Sequence, residues 1–165
     1  MPHFGERCGI FLDSWKGEQH LTKENWKPWD CADTFGKRKK HFDPNQANLQ
    51  QWPLKISMVP PLSPYFHKAH LVVAADCSAF SYVSFHRNLL RGRVLVTLCP
   101  RLEQDFAQRL SEILKLNDIQ SLTIIRMDAP CCKPVSDEIL YILKQAGKQI
   151  PVQFTTIFAE GEVVD

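Results

Sequence analysis

From residue 52 onward, short runs of aliphatic and β-branched residues alternate with longer stretches in which apolar positions recur every three or four. Runs of the first kind read as strands, and stretches of the second kind as helices with one buried stripe. Strands are predicted at 54–58, 71–75, 94–98, 122–127 and 152–158. Between them fall a short helix at 63–67 opened by Ser63-Pro64, and a helix at 79–90 stopped by Arg91-Gly92. A third helix runs from Pro100 to about 116 and presents Leu102, Phe106, Leu110, Ile113 and Leu114 on one face. A fourth opens at Pro134 or Ser136, buries Val135, Ile139, Ile142 or Leu143, and Ala146, and ends at Gly147.

This alternation implies an α/β domain with a mostly parallel sheet. Right-handed crossovers then put helices on both faces. The expected fold is a three-layer sandwich with about five strands, of Rossmann or flavodoxin type, whose strand order is not readable from the pattern. The first 50 residues differ. They hold four of Val, Ile or Leu against 33 in the remaining 115, and carry Trp15, Trp26, Trp29, Phe35 and Phe42 among polar residues. Such a stretch cannot build an aliphatic core, but its aromatics can dock on another surface. The expected organisation is an irregular aromatic arm at 1–50 wrapping an α/β domain at 51–165.

A chain of 165 residues suffices for one ordinary domain, and 44% hydrophobic with 23% charged residues is globular composition. A net charge of +2 argues against nucleic acid or an anionic membrane as partner. The basic run Lys37-Arg38-Lys39-Lys40-His41 reads as a solvated loop. No segment approaches the ~18 apolar residues of a membrane span, and the N-terminus lacks the apolar core of a secretory signal. A cytoplasmic location is expected, with six cysteines kept reduced. Seven glycines without Gly-x-Gly-x-x-Gly or Gly-Lys-Ser/Thr exclude the standard phosphate-cradling loops. No Gly-x-Ser-x-Gly elbow supports a hydrolase.

What chemistry the sequence offers lies in its thiols. Cys77, Cys99 and the pair Cys131-Cys132 each follow directly on a predicted strand. Parallel strands deliver their carboxyl ends to one edge, where ligands bind. Neighbouring strands are about 4.8 Å apart, so adjacent ones can bring terminal thiols to one metal or cluster. Helix first turns favour the thiolate, while Asp76 and Asp128 oppose it. Free cysteine is also a common small core residue, so the bland reading stays open. Consecutive thiols rarely both face one small ion, which leaves one of Cys131 and Cys132 spare or as a resolving thiol. His86 lies nine residues beyond Cys77, over ~13 Å along a straight helix. His67 and His70 flank the amino end of their strand. Cys8 and Cys31 are read as incidental, and no Cys-x-x-Cys occurs.

The stretch from about 51 to 161 resembles the C-terminal domain of 4Fe–4S ferredoxin-type iron–sulfur proteins of anaerobic bacteria. The resemblance is carried by Gln51-Trp52-Pro53-Leu54, Ala74-Ala75-Asp76-Cys77 with Ala79-Phe80, and Phe85-His86-Arg87. It continues through Leu98-Cys99-Pro100-Arg101-Leu102, Asn117-Asp118-Ile119, and Arg126-Met127 to Pro130-Cys131-Cys132. Gly147-Lys148 and Ile150-Pro151-Val152 close it. That family usually carries a ferredoxin-like module before this domain, where the first 50 residues here supply only Cys8 and Cys31. It also tends to have glycines after the Cys-Cys pair, where this chain has Lys133-Pro134. The resemblance implies an accessory iron–sulfur or electron-transfer context.

The leading expectation is therefore a metal-linked redox protein with Cys77, Cys99, Cys131 and Cys132 as candidate ligands of an iron–sulfur cluster, or of zinc as a variant, working with a redox protein partner. Two alternatives stand beside it: a thiol-dependent enzyme or switch using Cys131-Cys132, and a binding module whose cysteines are only core.

Overall fold

The computed structural model describes residues 48, 49 and 51–165. Apart from Asn48 and Leu49, the arm lies outside the described residues, with Cys8, Cys31 and the basic run. Four strands run parallel: β1 (His70–Ala75), β2 (Val94–Leu98), β3 (Ser121–Met127) and β4 (Val152–Ile157). A fifth, β5 (Val163–Val164), returns antiparallel against β4, so the order is β2-β1-β3-β4-β5. The register pairs Val73 with both Val96 and Ile124, and Ile124 with Phe154. β-Branched Val73, Val96 and Ile124 and aromatic Phe154 fill these positions because a pleated, doubly covered sheet accommodates such side chains best.

Alternation along the strands sends side chains to two cores. Leu71, Val73, Val94, Val96, Leu122 and Ile124 face one side, covered by α2 (Phe106–Leu116) and α3 (Val135–Gln145). Val72, Ala74, Leu95, Ile125 and Met127 face the other, with Phe85, Leu90 and Cys132. The three-layer α/β sandwich follows from the strand order. The chain steps from β1 to β2 in one direction, then reverses for β3 and β4, so right-handed crossovers fall on opposite faces. At the end of α3, Gly147 takes φ +64°. Its N–H donates to Lys144 (3.2 Å) and that of Lys148 to Leu143 (3.2 Å), the paired bonds of a glycine-stopped helix.

The structure differs from the sequence pattern in four places. The expected strand at 54–58 is a single bridge, Lys55 with Thr97, followed by a turn. The expected helix at 79–90 is a four-residue α1 (Ser78–Ser81) and then one π-turn over Phe85–Leu89. Phe85 and Leu90, five apart, are both buried, and that spacing suits π winding better than α. The helix expected from Pro100 begins only at Phe106. Glu103 is drawn inward to bond the Cys99 N–H (2.7 Å), which holds 99–103 in turns and leaves Leu102 77% exposed instead of in the stripe. Finally, β5 was not anticipated, because a two-residue strand leaves no periodicity to read.

Candidate functional site

β2, β1 and β3 are consecutive neighbours in the sheet, so Cys99, Cys77 and Cys131-Cys132 follow three adjacent carboxyl ends. The reversal of strand order falls between β1 and β3, the crevice where open parallel sheets bind ligands. Cys77 stands at the N-cap of α1 and is exposed. The β3 exit is a pair of tight turns, with Cys132 N–H bonded to Ala129 (3.0 Å) and Val135 N–H to Cys132 (3.2 Å). These turns leave Cys131 exposed and put Cys132 in the second core.

Cys131 and Cys77 are both near enough to act electrostatically on the Cys132 thiol. Burial pushes its pKa up, a hydrogen bond with the Met127 backbone works the other way, and the Cys131 and Cys77 side chains push it up again. Cys99 is not among the groups acting on it. Among the described residues, no three His, Cys, Asp or Glu side chains form a ready ligand set for a metal ion. The helix-dipole argument does not reach Cys99, since α2 starts seven residues later.

Beside the thiols lies a polar network that the sequence pattern did not reveal. Thr97 donates its N–H to Leu54 (2.8 Å) and accepts from Ile56 (2.9 Å), which fixes Lys55 at the margin of β2. The Lys55 ammonium stands 2.5 Å from Asp76 Oδ2 and 2.9 Å from Glu103 Oε2. The Ser57 hydroxyl donates to the other Glu103 oxygen (3.0 Å), and Arg109 donates to the Ser57 carbonyl (3.1 Å). Burial works against the Lys55 charge, but hydrogen bonds to Asp76 and Glu103 and their attraction outweigh it, holding its pKa above the ordinary value. Asp76, expected to act on the neighbouring thiol, is thus countered by a cation. The one signal in the sequence was an acid three residues after Cys99-Pro100, inside what looked like a helix.

Large apolar side chains in the segments after β1 and β2 face solvent, Phe80 (92% exposed), Val83 (101%) and Leu102, as does Met58 (58%) in the turn after Lys55. Two of the three described histidines, His67 and His70, lie at the amino edge of the sheet. His70 pairs with Ser121 (2.7 Å) at the amino edge. His67 borders a surface pocket there with Ser63, Asn117 and Asp118. The His86 carbonyl accepts from Asn48 (3.0 Å).

A family model described as a Rossmann-like domain matches residues 63–165, the span containing the whole sheet and all four described cysteines. The chain belongs to this Rossmann-like domain family. It is similar to an uncharacterized protein of Archaeoglobus fulgidus, 27% identical over 118 residues that cover 70% of this chain and 82% of that protein. No solved structure matches it. The match is to a Rossmann-like domain and carries no ferredoxin-associated likeness. In this Rossmann-like domain the edge that elsewhere carries glycine loops carries thiols instead. No helix among the described residues is long and apolar enough to cross a membrane.

Proposed function

We propose that this edge is a thiol centre of a metal-linked redox protein, with Cys77, Cys131 and Cys132 as donors and Cys99 in reserve on the β2 side. The observation that supports the reading is that Cys77 and the Cys131-Cys132 pair follow β1 and β3, the neighbouring strands at the order reversal, and that Cys77 and Cys131 both act electrostatically on the Cys132 thiol. Donor chemistry fits a soft ion: thiolates suit iron–sulfur clusters or zinc. Cys77 and Cys131 are exposed side chains able to turn toward an incoming ion. Iron held there would supply a one-electron couple. The chain's own residues hold the ligand loops apart or together: Lys55 ties the Cys77 turn to the Cys99 turn through Asp76 and Glu103. The exposed apolar side chains Phe80, Val83 and Leu102 in the turns after β1 and β2 support docking of a redox protein partner at this edge.

Protein purified without oxygen is expected to contain iron and acid-labile sulfide in stoichiometric amounts, and to lose both when Cys77, Cys131 and Cys132 are replaced together by Ser. Stoichiometric zinc without sulfide would select the zinc form. A colourless, metal-free product refutes the reading.

One observation favours a second reading, a thiol switch. Cys131 and Cys132 are adjacent thiols, one exposed and one buried, with no ready three-ligand set among the described residues. In that case Cys131, the exposed member, is alkylated at neutral pH far faster than free thiol. Uniformly slow modification excludes it.

A further inference from the structure

The thiol-bearing turns are joined by a segment that none of the cysteines belongs to. The β4–β5 turn, residues 158–162, is closed by Phe158 N–H to Glu162 (2.9 Å) and Gly161 N–H to Phe158 (3.0 Å). On one side, Ile157 at its base accepts the N–H of Asp128 (2.9 Å), the first residue after β3 and the start of the Cys131-Cys132 turn. Ile157 is fully buried in the same core as Cys132, and Val163 packs there too. On the other side, Gly161 lies against α1, whose N-cap is Cys77. A methyl group at Gly161 would stand 2.9 Å from the Ser81 carbonyl oxygen, closer than carbon and backbone oxygen approach. The turn therefore spans the crevice between β1 and β3 and touches both thiol-bearing segments. Thr155 pins its far end by a hydrogen bond to Asp165 (2.8 Å).

We infer that the β4–β5 turn is a third wall of the thiol site and that Gly161 is the positioning residue that lets it seat against the Cys77 helix. The inference rests on reading Cys77, Cys131 and Cys132 as one site, but not on what that site holds. Gly161 has φ +91°, so alanine there meets both backbone strain and the Ser81 carbonyl. Gly147 has φ +64° with nothing within 4 Å of the position a methyl would occupy, and it sits at the opposite end of the fold. Alanine at Gly147 thus carries the strain without the collision.

The test is alkylation of the full-length, metal-free chain with iodoacetamide, resolved cysteine by cysteine by mass spectrometry. Gly161→Ala is expected to raise the rate at Cys132 by roughly tenfold, as the turn lifts and the second core opens locally. Gly147→Ala is expected to leave that rate within about twofold of the parent. Equal factors for the two variants, or no rise in Gly161→Ala, overturn the inference. Should Gly161→Ala fail to fold, Asp165→Ala, which frees the end of the hairpin, is read instead. A rise at Cys132 supports the inference and a parent-like rate overturns it. A chain that binds no iron or zinc yet shows the rise in Gly161→Ala removes the metal reading and keeps this one.

Discussion

Replacing Lys55 by methionine keeps most of the side-chain volume and removes an ammonium standing between two carboxylates. The two ends of the pair differ. Toward Asp76 both side chains are about a third exposed (34% and 28%), so the loss there falls in the ~0–1 kcal/mol range of screened surface pairs. Toward Glu103, whose side chain is 8% exposed, the carboxylate keeps the Cys99 N–H and the Ser57 hydroxyl but loses a charge-assisted bond. That end dominates, and the sum is about 1–2 kcal/mol. In urea unfolding this lowers the midpoint by roughly 0.5–1 M with the slope unchanged, and Tm by about 3–6 °C. The pH dependence fixes the cause. The Lys55 pKa lies above its unfolded value, so its contribution is complete below about 10.4 and is lost as pH rises through the folded value. The gap between parent and Lys55→Met should be constant from pH 7 to 9 and narrow above it. A gap below about 0.3 kcal/mol at pH 8, or one unchanged at pH 11.5, refutes the reasoning.

Leu102→Ser should change stability by less than about 0.5 kcal/mol, since the side chain is out of the helix stripe; a loss above about 1.5 kcal/mol in urea unfolding would restore it to the core. Cys132 is held as the neutral thiol, with its pKa above the ordinary value. Its contribution is present below the unfolded pKa of ~8.5 and lost as pH rises through the folded value. The stability advantage of the parent over Cys132→Ala should therefore shrink between pH 7.5 and 10, and an advantage that grows would contradict burial of the thiol.

The four parallel strands were legible because each is a dense β-branched run bounded by turn residues, and Val94–Leu98 coincides with its predicted limits. The helix at Val135–Gln145 was legible for the same kind of reason, an unbroken stripe closed by Gly147. What failed to show were features decided by tertiary contact. Phe85 and Leu90 were drawn into the second core and broke the helix that local pattern favoured. Glu103 left a helical position to serve a half-buried network with Lys55, 48 residues away in sequence. Strand order, which puts the Cys77 and Cys131-Cys132 segments side by side, is set by packing both faces at once and leaves no local trace. Thus the thiols could be named from the sequence as candidates, while their grouping, with Cys99 on the side of the Lys55 network, could not.

The margin of β2 has a consequence for where this domain starts. Ile56 and Val59 are fully or almost fully buried, and the Gln51 amide donates to the Leu95 carbonyl. Both backbone groups of Thr97 are satisfied by Leu54 and Ile56. A protein cut just before Ser63, where the first short helix begins, would leave Thr97 with an open ladder beside uncovered aliphatic surface. Open ladders recruit strands from other molecules, so the shortened form is expected to aggregate, while one retaining residues from 48 stays dispersed.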